Sequence, residues 1–211
     1  MALNNPRDFV TGMRWSECDF GLVHDTVGSR KQSGDIPRLH FGVPYWTAEW
    51  VSVPVSRDDL RKLRSWYRSV EGGSFAFLGY DVSREHPSQY VGGNGLGAWD
   101  GQASVTALGT NTIDVSGALM DMDLRAGDLV GLVEGDKRHL HEIREDVVLS
   151  ALGAGQLSVN PYVLTNVFTT AATAYFVRPS VRFIMETGSW SGVPSMEVTP
   201  GSFKAVQEVP V

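Results

Sequence analysis

His139 and His141, in the stretch RHLHEI, are the residues whose type and spacing come nearest to a chemical centre. On a strand, alternate side chains share a face, so both imidazoles point one way and Glu142 points the other. Two such imidazoles can share a metal ion. A tetrahedral site, however, brings three or four convergent ligands, and no third one stands nearby. The pair therefore reads as exposed polar positions of a strand. Cys18 sits between Glu17 and Asp19, whose charges raise a thiol pKa rather than lower it, so a nucleophilic cysteine is not expected. No serine lies in a G-x-S-x-G elbow. The run GGNGLG at 92–97 lacks the preceding strand and following helix that a phosphate cradle needs, so it reads as a flexible turn. The carboxylate pairs Asp121 with Asp123 and Glu145 with Asp146 are of a kind frequent in any acidic chain. No catalytic, metal-binding or cofactor-binding residue is assigned, and no enzymatic activity or cofactor is expected.

The elements that would position these residues are mostly strands. In PYWTAEWVSVPVS, Trp46, Ala48 and Trp50 share one parity and Thr47, Glu49 and Val51 the other, the alternation of a half-buried strand. Leu39, Phe41 and Val43 alternate in the same way. Pro44 and Pro54 each lack a ladder donor, so these strands are expected at sheet edges or broken at those points. One segment reads as a helix, over 57–71. Ser56 caps it with Asp59 three residues on, and Asp58 and Asp59 suit the positive end of the helix dipole. Leu60, Leu63, Trp66 and Val70 recur at intervals of three and four and form the packing face. Gly72 and Gly73 end it, and the strand SFAFLGYD follows at once.

From 82 to 102 the chain is glycine-rich and aperiodic, a long loop of the kind that is usually functional or interface-forming. From 103 to 187 short strands alternate with turn clusters at the spacing of a small sandwich or barrel. The predicted fold is thus mainly β with one amphipathic helix. It divides into an N-terminal β domain over 1–102, a C-terminal small β-barrel or sandwich over 103–187, and an extended arm over 188–211.

The chain has 211 residues, 42% of them hydrophobic, which is enough for one large core or two small ones. Its net charge of −6 gives no global reason to bind nucleic acid or an anionic membrane. A lone cysteine forms no internal disulfide. No apolar run approaches the ~18 residues of a membrane span, and MALNNPRDFVTGMRWSE has no basic-then-apolar leader pattern; a soluble protein made in a cytoplasm, without a membrane anchor, is expected. Six tryptophans leave two uses beyond core packing. Indole faces stack on sugar rings, and aromatic residues are enriched where subunits meet. Trp46, Trp50, Tyr90, Trp99 and Trp190, which lie in the loop or beside loops and prolines, are the candidates for subunit contacts.

The stretch from Trp50 through VSVPVSRDDLRKLRSWYRSVEGGSFAFLGYD resembles the N-terminal part of the distal tail protein family of long-tailed bacteriophages and gene transfer agents. Trp50, Leu60, Leu63, Trp66, Gly73, Phe75, Phe77 and Asp81 carry the likeness. The segment LRAGDLVGLVEGDKRHLHEIREDVVLSALGAGQLSVNPYV is similar to a module of phage tail-tip and minor tail proteins, through Gly127, Asp128, Gly155, Leu157, Val159 and Pro161. Together they span residues 46 to 163. The resemblance implies a structural virion protein at the tail tip or baseplate: a homo-oligomeric ring, commonly hexameric, joining the tail-tube protein to the hub and other tail-tip proteins. It also implies no specific nucleic-acid binding, since an acidic lumen lets DNA slide without adhering. The alternative is a carbohydrate- or receptor-binding module that uses exposed tryptophans.

Overall fold

The computed structural model describes residues 5–24, 26–28, 38–40, 42–192 and 199–210, with the backbone alone for 26–28 and 38–40. The fold is mainly β, with a single α-helix among the described residues. In chain order the strands are β1 (Trp15–Val23), β2 (Thr26–Gly28), β3 (Arg38–His40) and β4 (Tyr45–Ser52), then helix α1 (Arg57–Ser69) and β5 (Phe77–Gly79). There follow β6 (Gln102–Leu108), β7 (Thr112–Ser116), β8 (Asp123–Leu124), β9 (Leu129–Glu134), β10 (Lys137–Ile143), β11 (Val147–Val148), β12 (Gly155–Asn160) and β13 (Thr173–Tyr175). The chain ends with β14 (Val181–Met185) and β15 (Ser202–Gln207).

These strands build two units. An antiparallel sheet has the order β1-β4-β15-β14-β5, and a closed barrel has the order β10-β12-β7-β6-β13-β9. β2 pairs with β3, and β8 with β11. The barrel is inserted between β5 and β14, which corrects the expected division in two places. β14, assigned by spacing to the 103–187 domain, lies in the N-terminal sheet. The segment 188–211, expected as an arm, carries β15, which pairs with β4 on one side and β14 on the other. Alternation reveals a strand's buried face but not which sheet it joins, and Val181, Phe183 and Met185 alternate equally well in either. β4 is also internal rather than an edge, because Pro44 and Pro54 lie just outside its ends and remove no ladder donor from it. Phe41, residues 29–37 and residues 193–198 lie outside the described residues.

Helix α1 begins as its sequence predicts. The Asp59 backbone N–H donates to Ser56 Oγ (3.2 Å), and the Ser56 hydroxyl donates to Asp59 Oδ2 (2.8 Å). Leu60, Leu63 and Val70 are almost wholly buried, at roughly 1.5–3 kcal/mol for each large side chain removed from water. Trp66 is half-buried over Phe77 and Phe203, with ring centroids 5.2 and 5.3 Å away, and its indole N–H donates to the Asp8 carbonyl. The sheet's core beneath is aromatic: Phe9, Trp50, Phe77, Phe183 and Phe203 pack mostly in tilted and edge-to-face pairs at 5.2–6.4 Å. Past the helix, Gly73 has φ +98°, and a Cβ there would lie 2.8 Å from the Met185 carbonyl oxygen, so the chain turns against β14 only without a side chain.

A hydrogen-bonded joint holds the two units together. Leu129 and Leu140, on β9 and β10, belong to the sheet's core rather than to the barrel's. The Trp46 indole N–H donates to the Leu140 carbonyl at 2.9 Å. Arg84 donates to Asp81 (2.7 Å), to Glu142 (3.0 Å) and to the Gly127 carbonyl (3.1 Å), while Asp128 accepts from the Ser88 N–H. The loop 82–102, two of whose residues make these contacts, lies between the units.

Candidate assembly surfaces

Burial within the chain removes two of the five residues expected at subunit contacts. Trp46 is 2% and Trp50 0% exposed, so neither indole has surface to offer a neighbour. Their parity on β4 turns them into the protein's own core, where each N–H is satisfied, that of Trp50 by the Tyr80 carbonyl at 3.2 Å. Tyr90, Trp99 and Trp190 are half-buried. The Tyr90 hydroxyl accepts from the Asp123 N–H, and Trp99 leans on Phe176, which ties the long loop to the barrel. Trp190 stacks at a tilt on Tyr67 of the helix, 5.1 Å between centroids.

The histidine pair also departs from expectation. His139 and His141 are both fully buried. They share a face of β10 with Ile143, which lies in the barrel's core, so the imidazoles point into the closed barrel. Sequence parity placed them together correctly; only the closure of the strands around them decides that the face is inside. Pro161 O can only accept, so His141 Nδ1 carries the proton and donates to it at 2.9 Å. The bare Nε2 of His141 then accepts from His139 Nδ1–H at 3.2 Å, which leaves His139 Nε2 as a buried lone pair without a partner. Burial pushes the His141 pKa down to about 4. His139 is depressed well below the ordinary range, by burial first and by the neighbouring imidazole second. A buried neutral dyad of two imidazoles falls short of the three or four convergent ligands that a metal site brings.

Other candidate groups are engaged elsewhere. Burial, and then Asp81, push the Cys18 thiol up to about 12, so it stays a thiol at neutral pH. One member of each candidate carboxylate pair, Asp123 and Asp146, is held by Arg125, whose guanidinium donates to Asp123 at 2.5 Å and to Asp146 at 2.8 Å. Within 92–97, Gly92 takes a positive φ in a short 3₁₀ turn, and neither strand nor helix flanks the run. Among the described residues no group of three or more His, Cys, Asp or Glu stands close enough to hold a metal ion, and no helix is long and apolar enough to cross a membrane.

Two larger clefts and one sheet edge are of interest among the described residues. A cleft of about 560 Å³ opens between the 82–92 segment and the turn at 126–128, lined by Arg84, His86, Val91 and Asp128 among others. A second, of about 510 Å³, has Trp15 and Tyr80 on its wall with Asp8, Glu85 and Arg178 at its rim. The two edges of the five-stranded sheet differ. β5 is covered, because Arg7 bridges Phe77 and exchanges backbone hydrogen bonds with Ala76 and Leu78 at 2.8 and 2.7 Å. On the far side of β1 no strand pairs among the described residues, leaving a nine-residue row of alternate backbone donors and acceptors. No family model and no curated protein matches the chain.

Proposed function

We propose that this chain is a structural virion protein of a phage-type tail tip, a distal-tail-like subunit that assembles with copies of itself into a ring between the tail tube and the hub, and that it has no catalytic role. The observation that carries the proposal is the open edge of β1. A closed barrel abolishes its own edges, and Arg7 covers β5, so β1 is left as the one long edge of either unit among the described residues. Such an edge is a template for pairing with another chain. The residues that carry the tail-protein likeness support the same reading. Trp50, Leu63, Trp66 and Phe77 share one core under the helix, while Gly127 and Asp128 sit at the joint between sheet and barrel. The helix covers its own sheet, and the joint fixes the barrel's orientation, both needs of a subunit that repeats around an axis.

Mass photometry of the purified full-length protein over a concentration series tests the proposal. A discrete multi-subunit species, with annular particles in negative stain, is expected; a single-chain mass at every concentration overturns it. A second reading, a carbohydrate-binding module, draws on the cleft at Trp15 and Tyr80, since aromatic walls with a charged rim suit a sugar ring. It can no longer draw on Trp46. Saturable binding to a glycan array, lost in Trp15→Ala, would favour it.

A further inference from the structure

Most large apolar side chains on this surface are covered, but three exposed ones stand together at one end of the barrel. Met120 is 64%, Val148 63% and Leu152 84% exposed. They project from two loops, 117–122 and 149–154, and from β11 beside them. The loops are clamped to each other: Ala118 N–H donates to the Gly153 carbonyl (3.1 Å), Asp121 N–H to the Ser150 carbonyl (3.2 Å) and Leu149 N–H to the Met122 carbonyl (2.9 Å). Gly153 has φ +63°, and a Cβ there would fall 2.0 Å from the Ala118 carbonyl oxygen, so the two backbones touch. Met122 and Leu149, beneath, are buried in the barrel core. The knob is therefore a rigid display of apolar side chains, the arrangement of a contact surface rather than of a frayed loop.

Its rim is acidic. Residues 117–125 and 144–154 contain Asp121, Asp123, Glu145 and Asp146 against Arg125 and Arg144, four carboxylates to two guanidiniums. Arg125 is taken up by Asp123 and Asp146, while Asp121 and Glu145 have no cationic partner among the described residues. A surface of opposite character lies on the other unit. The half-exposed Tyr67–Trp190 pair has Arg64 three residues before Tyr67 on the helix, and Arg68 follows one turn on from Arg64. The helix carries Arg57, Arg61, Lys62, Arg64 and Arg68 against Asp58 and Asp59, and those two aspartates are occupied by Arg61 and Lys62.

We infer that the barrel knob of one copy docks on the Tyr67–Trp190 face of the next copy, with Met120, Val148 and Leu152 against the aromatic pair and Asp121 and Glu145 against Arg64 and Arg68. This rests on the ring reading above and names a contact within it. Because the two patches differ, the contact is heterologous, and repetition closes a ring if the rotation permits. Opposite charge at the rims fixes register and partner, and the apolar centre supplies the buried area.

Sedimentation velocity on the full chain tests it with four variants: Met120→Ser/Leu152→Ser, Asp121→Lys/Glu145→Lys, Arg64→Glu/Arg68→Glu, and the last two pairs combined. All substituted positions lie wholly or partly at the surface, and an unchanged melting curve certifies the fold of each. The first three are expected to weaken association at least about tenfold, and the combined charge swap to restore most of it. If the wild type assembles and the first three assemble equally well, this docking is wrong and the ring stands. If each charge reversal dissociates the assembly but the swap does not restore it, the pairing is wrong. If the wild type is single-chain throughout, the ring reading falls and this inference falls with it.

Discussion

Acidification will destabilise this protein through the two imidazoles inside the barrel. His141 titrates near 6.5 when unfolded and at about 4 when folded. Its folded-state pKa is depressed, so the unfolded chain binds the proton more tightly. The stability His141 contributes is complete above about pH 6.5 and is lost as pH falls toward 4. At about 1.4 kcal/mol per pKa unit, the difference between 6.5 and about 4 is worth about 3 kcal/mol in all, more than half of it gone by about pH 5. His139 adds to the loss in the same direction, because a proton on its Nε2 would point an N–H into the barrel where no acceptor waits. Among the described residues the pair faces no compensating carboxylate: its strand neighbours on the barrel's inner face are Val130 and Leu132 of β9 and Ile143 of β10, and Val159 of β12 lies opposite Ile143. Urea midpoints measured at about pH 7 and about pH 5 on the wild type and on His139→Gln/His141→Gln read the effect as a difference in slope. The variant is expected to be weaker at neutral pH, having exchanged a matched dyad for two amides, yet flatter across the window. Equal slopes, or His139 and His141 imidazole NMR signals that titrate near 6.5 in the folded protein, would refute this reasoning.

Three further outcomes follow from packing and capping. Leu63→Ala should cost about 2–5 kcal/mol of stability, because its side chain is wholly buried between helix and sheet; a loss below 1 kcal/mol by chemical denaturation would mean the helix is not docked there. Ser56→Ala should cost about 1 kcal/mol through the lost Asp59 N–H bond, and Ser56→Asp should recover most of it, both read from the same curves. Cys18 should resist iodoacetamide in native protein at neutral pH while the urea-unfolded chain is modified fully; similar rates in both states would contradict its burial and raised pKa.

Local signals in the chain were legible because they depend on neighbours three or four residues away. The Ser56 cap, the Leu60, Leu63 and Val70 stripe and the Trp46, Ala48 and Trp50 alternation all stand where their spacing puts them. What could not be read was set by partners far along the chain. β15 joins β4 across some 150 residues, so nothing in PGSFKAVQ itself distinguishes a central strand from a trailing arm. His139 and His141 share a face in either environment, and only closure by β9 and β12 makes that face an interior. The burial of Trp46 and Trp50 was not legible for a related reason. Aromatic side chains suggest both cores and interfaces, and here Trp46 and Trp50 serve the core, while Met120, Val148 and Leu152, exposed in two turns and the short β11, carry no aromatic signal.

The most direct test of the central claim is an image of the purified, untagged protein by single-particle electron microscopy. Annular particles of repeated subunits are the predicted result. A field of isolated 23.0 kDa molecules at every concentration tried would contradict it.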